Sequence, residues 1–307
     1  PIWPSGVLLI SAWGVRQYQQ ELPWPSLGKP VSIRLNPGPF PFELVAYGDM
    51  RFTDPAYRDA SNPEYRDALV RKIAEAKPAF VLLTGDLVWH GDNQDDWRQY
   101  ESETKPWRDA GLKILPTLGN HELNGNVRVG LNHYFTVFPD LANSRWYTIR
   151  AANLLCIMLD SSLDNAGSDE MKWFRQQLDA IPPDVDFVLL VMHHPPVTHS
   201  VGNRWGKGGH KQRPQDHALA EMLEERQKNT HARFLAISGH VHNYERYEEG
   251  GVTYLVSGGG GAKPYEVPRR ATDFYNQTGP TYHYCTLRID HNTLHVEMHK
   301  LEFQNTR

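Results

Sequence analysis

The sequence is poor in three features that would each define a class of protein: cysteine, long apolar runs and excess positive charge. Its 307 residues include two cysteines, so no disulfide framework is visible, although a bond between Cys156 and Cys285 stays open. No apolar run reaches the roughly 18 residues of a membrane-spanning helix. The net charge of −4 argues against a nucleic-acid partner and against a nuclease. We therefore expect a globular protein without a transmembrane segment, and the sequence leaves its oligomeric state open.

The first 40 residues differ in composition from the rest of the chain. They are rich in proline and tryptophan, which predicts little regular structure. We expect an extended N-terminal arm over residues 1–40 and a single domain over residues 41–307. The short apolar stretch at residues 7–13 is either a first strand or surface-packed arm, or the trace of an export signal. The second interpretation favours a periplasmic or secreted protein.

From residue 42 onward, apolar runs of strand length alternate with helical patterns. Residues 42–47 and 79–84 are predicted strands, and apolar side chains recur at helical spacing over residues 63–76 between them. Further strands are predicted at 113–117, 146–150, 154–159, 187–192, 233–237, 252–256, 282–289 and 293–300, and further helices at 93–109, 168–180 and 215–229. This alternation indicates a layered α/β fold with parallel strands.

Five of the predicted strands end in side chains that can bind metals. These are Asp49, Asp86, Asn120 with His121, His193 with His194, and His240 with His242. One aspartate at a strand end is most often a cap or turn residue, but five strands that end this way are hard to explain by chance. Ligands bind beyond the carboxyl ends of parallel strands, and these residue types suit Fe, Mn, Zn or Ni. A carboxylate can bridge two such ions, and Asp86 is central enough in the set to do so. Two bridged ions can stabilise both the attacking and the leaving oxygen of an in-line displacement at phosphorus.

The order of these motifs resembles that of the calcineurin-like metallophosphoesterase superfamily. The motifs are Gly48-Asp49, Gly85-Asp86, Gly119-Asn120-His121-Glu122, His193-His194-Pro195 and Gly239-His240-Val241-His242. The last motif continues as Asn243-Tyr244-Glu245-Arg246 and looks most like the purple acid phosphatase branch and its bacterial relatives. The resemblance covers residues 44–262. It implies a four-layer α/β/β/α sandwich with the metal site at the carboxyl ends of the strands.

The resemblance also implies roles for individual residues. One metal ion would be held by Asp49, Asp86 and His242, and the other by Asp86, Asn120, His193 and His240, with Asp86 bridging. His121 would be catalytic, either by hydrogen-bonding the phosphate or by protonating the leaving oxygen. The implied reaction is hydrolysis of a small phosphate monoester by in-line attack of a metal-bound hydroxide. The alternatives are a phosphodiesterase on the same site and a non-catalytic metal-binding scaffold.

Two positions depart from the family pattern. Many members have Asp-x-His at the first motif, where this chain has Asp49-Met50-Arg51, and the purple enzymes have tyrosine where it has Trp89. Since tryptophan cannot ligate a metal in this way, we predict a colourless metalloenzyme whose first metal position is more open. Arg51 is either a solvated or ion-paired residue that replaced a lost ligand or a catalytic residue that donates to the bound phosphate.

A glycine-rich, basic segment follows His193 over residues 197–214. It either covers an anionic substrate as a lid or forms a mobile surface loop. We expect His199 and His210 of this segment to contact substrate, together with His194 beside the predicted metal ligand.

Overall fold

In the computed structural model of the protein, the described residues are 28–163, 168–202 and 210–302. Within them the strands are β1 (Val31–Leu35), β2 (Phe42–Tyr47), β3 (Phe80–Leu83), β4 (Ile114–Pro116), β5 (Tyr147–Ala151), β6 (Leu154–Met158), β7 (Phe187–Val191), β8 (Arg233–Ser238), β9 (Tyr244–Glu249), β10 (Val252–Ser257), β11 (His283–Asp290) and β12 (Thr293–Lys300). The helices are α1 (Pro63–Ala76), α2 (Gln94–Glu103), α3 (Lys105–Asp109), α4 (Val127–Val137), α5 (Asp169–Asp179) and α6 (Pro214–Gln227), with a 3₁₀ turn at Pro139–Leu141.

The described strands form two sheets. One sheet has seven strands in the order β1-β5-β6-β7-β8-β10-β9, and the other has five in the order β12-β11-β2-β3-β4. Strands β2, β3 and β4 are mutually parallel, and so are β6, β7 and β8. The strands that precede the predicted ligands therefore point in one direction within each sheet.

Side chains of β7 alternate between the two faces of the seven-stranded sheet. Leu189 lies in the core that also contains Leu82 of the other sheet, whereas Leu190 packs in a second core with Phe174 of α5 and Leu223 of α6. On the far side of the five-stranded sheet, Trp107 of α3 packs edge-on against Tyr47 (centroids 6.0 Å apart). The layers are thus helix, sheet, sheet and helix, and the predicted α/β/β/α sandwich is confirmed.

Asparagine and proline set the starts and breaks of the helices. The Asn62 side chain accepts hydrogen bonds from the first backbone N–H groups of α1, and Pro63 occupies the first helical position. The prediction of one helix over 93–109 is wrong, because the chain breaks at Thr104 and restarts as α3. Pro106, which lacks an N–H, fits only the first turn of a helix and so favours this restart.

Part of the predicted N-terminal arm belongs to a sheet. Val31–Leu35 pairs in parallel with β5, so the expectation of little regular structure is wrong for these five residues. Their alternating burial is that of an edge strand. Residues 1–27 lie outside the described residues, so the arm, its export-signal interpretation and the single-domain boundary stay predictions. Strand β9 and helix α4 were not predicted.

Two further expectations concern cysteines and membrane spans. Cys156 on β6 and Cys285 on β11 are buried free thiols, so they do not form the disulfide that the sequence left open. Among the helices of the described residues, none has both the length and the apolar character that crossing a bilayer requires.

Candidate metal centre

The carboxyl ends of five strands, drawn from both sheets, bring their side chains together. Asp49 follows β2, Asp86 follows β3, Asn120 follows β4, His193 follows β7, and His240 and His242 follow β8. Asp49, Asp86 and His193 are fully buried, and each offers a ligand atom within 4.8 Å of the others. Buried charges are stable only when paired or coordinated, so this group is a candidate metal centre.

Asp86 lies at the middle of the centre. Its Oδ1 is 3.2 Å from Nε2 of His193 and accepts the backbone N–H of His121 at 3.0 Å. Its Oδ2 accepts Nε and Nη2 of Arg51 at 3.2 and 3.0 Å. Burial alone would raise the pKa of Asp86, but the nearby side chains of His193 and His121 and the permanent positive charge of Arg51 hold that pKa well below its usual range. The carboxylate is therefore ionised and faces cationic or metal-binding groups through both oxygens.

The remaining ligand candidates divide between two sides. Nε2 of His242 is 3.7 Å from Oδ1 of Asp49. On the other side, Oδ1 of Asn120 and Nδ1 of His240 lie 3.0 and 3.1 Å from Nε2 of His193. This division matches the two ligand sets that the resemblance implies, and the assignment of each residue as a ligand stays a prediction.

Two of the histidines are held with one ring nitrogen free for a metal. Nδ1 of His193 faces the carbonyl of Thr84 at 2.8 Å, and Nδ1 of His242 faces that of Lys263 at 3.0 Å. Each Nδ1 therefore carries the proton, which leaves the Nε2 lone pair free. Burial lowers the pKa of both rings, which keeps them neutral. Nε2 of His242 is buried without a hydrogen-bond partner among the described residues, so this donor set fits a borderline transition metal.

The backbone turns sharply at three of these positions. Asp49, Asp86 and His240 have φ angles of 62°, 54° and 68°, in the left-handed region that non-glycine residues rarely adopt. The backbone N–H of His240 donates to both carboxylate oxygens of Asp49, at 3.0 and 2.9 Å. Strained conformations of this kind persist where surrounding contacts fix them, and they concentrate at functional sites.

Glu122 was given no role by the sequence analysis, yet it joins two of the ligand loops. Its Oε1 accepts the N–H groups of Leu87 and Val88 at 2.7 and 3.2 Å, and its Oε2 accepts those of Asp86 and Gly119 at 3.0 and 2.7 Å. The side chain is fully buried, and burial together with the charge of Asp86 raises the pKa of Glu122 to about 8. The one signal for Glu122 in the sequence is its position as an acidic residue directly after Asn120 and His121.

Glu122→Ala is expected to lower the free energy of unfolding by about 3 kcal/mol, because four buried N–H groups lose their acceptor. Urea denaturation of the metal-free protein measures this change. Glu75→Ala, at an exposed position of α1, is the matched control and should change stability by less than about 0.5 kcal/mol. Equal effects of the two substitutions would contradict the bridging role of Glu122.

His121 is fixed beside Asp86 by Trp89. Nδ1 of His121 is 2.6 Å from the carbonyl oxygen of Trp89, and the imidazole stacks on the indole at 4.6 Å between centroids. Nε2 lies 3.8 Å from Oδ2 of Asp86. Burial lowers the pKa of His121, against the opposing charge of Asp86. The ring therefore donates through Nδ1 and directs Nε2 into the centre.

Arg51 is buried and ion-paired. Its guanidinium is bound to Asp86, and its carbon Cζ lies 5.3 Å from the centroid of the Trp89 ring. The pair agrees with the first of the two interpretations given above. Contact between Arg51 and a bound phosphate stays a prediction.

Of the three histidines predicted to contact substrate, two lie beside the metal centre. The ring of His210 is 3.9 Å from that of His240, and the ring of His194 is 4.3 Å from the same neighbour. Nδ1 of His194 is 2.9 Å from Oγ of Ser161. Burial lowers the pKa of His210 to about 4 and that of His194 to about 2. Both rings are therefore neutral near pH 7.

His199 has different surroundings from His194 and His210. Its ring packs against Tyr247, with 4.4 Å between centroids, and its Nδ1 is 3.4 Å from Oδ2 of Asp273. Its backbone N–H donates to Glu245 at 2.9 Å. These contacts anchor the start of the basic segment, and residues 203–209 of that segment lie outside the described residues.

Comparisons with known proteins agree with this geometry. Residues 44–244 match the family model for calcineurin-like phosphoesterases. The chain is 25% identical to purple acid phosphatase 21 of Arabidopsis thaliana over 311 residues, which cover 89% of this chain and 63% of that protein. It is 28% identical over 130 residues to a probable glycerophosphodiester phosphodiesterase, GpdQ, of Arcobacter nitrofigilis, covering 39% of this chain and 43% of that protein.

A solved structure shows the same fold. Purple acid phosphatase PPD1 from yellow lupin seeds superposes with a TM-score of 0.67 at 18% identity, over 86% of this chain and 52% of that chain. The chain thus spans less than two thirds of the length of each of these three relatives.

Proposed function

The chain belongs to the calcineurin-like phosphoesterase family, and on that premise we propose that it is a metal-dependent phosphoric ester hydrolase acting on small phosphate monoesters. The observation that supports this most is the position of Asp86, which has ligand-type side chains on one side and His121 on the other. Metal ions at such a centre neutralise charge on the phosphoryl oxygens and lower the pKa of water.

The proposed metal ligands are those that the geometry gathers around the two aspartates. They are Asp49, Asp86 and His242 for one ion, and Asp86, Asn120, His193 and His240 for the other. The donor types favour Fe, Mn, Zn or Ni. The tautomers set by Thr84 and Lys263 keep the imidazoles of His193 and His242 ready to bind without rearrangement.

His121 is the proposed proton donor to the leaving oxygen. Its Nδ1–H is held on the carbonyl of Trp89, so the ring would donate from Nε2 as an imidazolium, a form that the negative charge of Asp86 favours against the effect of burial on its pKa. His210 and His194, which flank His240, are proposed to bind the phosphate group. His199 is proposed to anchor the start of the basic segment through its contacts with Glu245 and Asp273. Arg51 adds positive charge beside Asp86.

Two observations bear on the alternatives. Similarity to a purple acid phosphatase over 89% of the chain supports monoesters, whereas similarity to a probable glycerophosphodiester phosphodiesterase over 39% of it supports diesters as the second candidate. The position of His121 argues against a non-catalytic scaffold. None of the proposed metal contacts uses this side chain, so metal binding alone does not explain its placement.

The direct test is hydrolysis by the purified protein, reconstituted in turn with Mn²⁺, Fe²⁺, Zn²⁺ and Ni²⁺. An aryl phosphate monoester and the matching bis-aryl diester are the substrates, and the chelator-treated protein is the control. We expect kcat/KM for the monoester to exceed that for the diester by at least about tenfold. Faster diester hydrolysis would favour the second candidate. Bound metal without hydrolysis of either ester would refute the proposed activity.

A further inference from the structure

The two departures from the family pattern form one structural feature. Cζ of Arg51 lies 5.3 Å from the ring centroid of Trp89, so the two side chains are in cation–π contact. Each of them also contacts the centre itself, because Arg51 binds Asp86 and Trp89 stacks on His121. Arg51 thus places a cation on Oδ2 of Asp86, and Trp89, which packs against that cation, cannot ligate a metal.

Arg51 is held in this position by its backbone. Its N–H donates to the carbonyl of Asp86 at 2.9 Å, and its φ angle is 51°. Its own carbonyl accepts Nη1 of Arg66 and Oγ of Ser61, both at 3.2 Å. The side chain is only 10% exposed. The guanidinium is therefore a fixed, buried part of the centre and is not a mobile surface group.

The two oxygens of Asp86 are not equivalent as metal ligands. Oδ1 faces Nε2 of His193, whereas Oδ2 accepts both Nε and Nη2 of Arg51. An ion that used Oδ2 would have to share that oxygen with a permanent positive charge, and like charges repel strongly inside a protein. Arg51 itself offers no lone pair to such an ion, because a guanidinium only donates hydrogen bonds.

We propose that Arg51 and Trp89 make the two metal positions unequal. The position at His193, Asn120 and His240 retains its ion, whereas the position between Asp49 and His242 competes with the guanidinium and binds its ion weakly and exchangeably. In the absence of that second ion, Arg51 supplies the positive charge on this side of Asp86. This inference rests on the metal centre of the proposed function, but it does not depend on which ester is hydrolysed.

Equilibrium dialysis against Zn²⁺, with zinc and protein quantified in each sample, tests the inference without reference to activity. We expect the wild-type protein to take up one Zn²⁺ per chain and to bind a second only at about a hundredfold higher free zinc. Arg51→Gln keeps hydrogen-bond donors but removes the charge, and it should bring the two midpoints together. Arg51→Lys keeps the charge and is the matched control. Two equal sites in the wild-type protein, or an unchanged separation in Arg51→Gln, would overturn the proposal.

A spectroscopic measurement tests the contribution of Trp89 to the same feature. The wild-type protein loaded with Fe³⁺ should show no tyrosinate charge-transfer band, whereas Trp89→Tyr combined with Arg51→Gly should develop one. A band in the wild-type protein would refute the assignment of Trp89 as a residue that replaces a tyrosine ligand and does not bind metal. Ester hydrolysis measured on the same samples separates the two proposals. Hydrolysis by a protein with two equal zinc sites refutes only the inequality, and unequal sites without hydrolysis refute only the proposed activity.

Discussion

Asp86→Asn is expected to release the bound metal and to lower kcat/KM for an aryl phosphate monoester by at least about a thousandfold. The substitution preserves the size of the side chain but removes its charge. Both oxygens of Asp86 are in use, since Oδ1 faces His193 and Oδ2 pairs with Arg51. Without the carboxylate, nothing offsets the positive charge of the Arg51 guanidinium, which would repel an incoming cation. Metal content after gel filtration and steady-state kinetics measure the two effects.

The control for this variant is Asp96→Asn. Asp96 is also a buried carboxylate, and it accepts hydrogen bonds from the Thr53 hydroxyl at 2.7 Å and from the His90 N–H at 2.9 Å. Its neighbours also include Nδ2 of Asn93 at 3.2 Å and the ring of a single histidine, with Nδ1 of His90 3.9 Å from Oδ2, whereas Asp86 contacts two imidazoles and a guanidinium. We expect Asp96→Asn to lower stability modestly and to keep its metal. Full metal content and activity in Asp86→Asn would remove the basis for a bridged centre.

The strand ends could be predicted from the sequence because their signals are local. An apolar run, then glycine, then a ligand-type residue marks the end of β3 before Asp86 and the end of β4 before Asn120. Such a pattern depends on a few consecutive residues and on the preference of buried strands for apolar side chains. The order of the strands within two sheets is not local, and only the family resemblance implied the sandwich.

The contacts that organise the centre could not be predicted in this way. Glu122 bridges two loops through backbone N–H groups at Asp86 and Leu87, and this role leaves no periodic pattern in the sequence. His199 and His210 lie in one basic segment, yet only His210 lies against the ring of His240. The break between α2 and α3, in contrast, was signalled by Pro106.

His121→Asn is expected to lower kcat by about 10²- to 10⁴-fold while leaving metal content unchanged. The asparagine amide can still donate to the carbonyl of Trp89, as Nδ1 of His121 does at 2.6 Å, but nothing replaces Nε2 beside Asp86. The variant thus removes the proton donor and keeps its anchor. His133→Asn is the control, because Nδ1 of His133 contacts only the carbonyl of Gly91, at 3.1 Å, among its hydrogen bonds in the described residues.

The dependence on the leaving group distinguishes the two roles that remain open for His121. If Nε2 protonates the leaving oxygen, the loss in kcat should be much larger for an alkyl phosphate than for p-nitrophenyl phosphate, because a nitrophenolate departs without protonation. If His121 instead hydrogen-bonds the phosphate, both substrates should lose kcat/KM to a similar degree, since the phosphate is common to both. We expect the first pattern, because Nδ1 is committed to Trp89 and Nε2 is the nitrogen directed into the centre. Equal losses would assign His121 to phosphate binding, and losses no greater than those of His133→Asn would exclude it from the reaction.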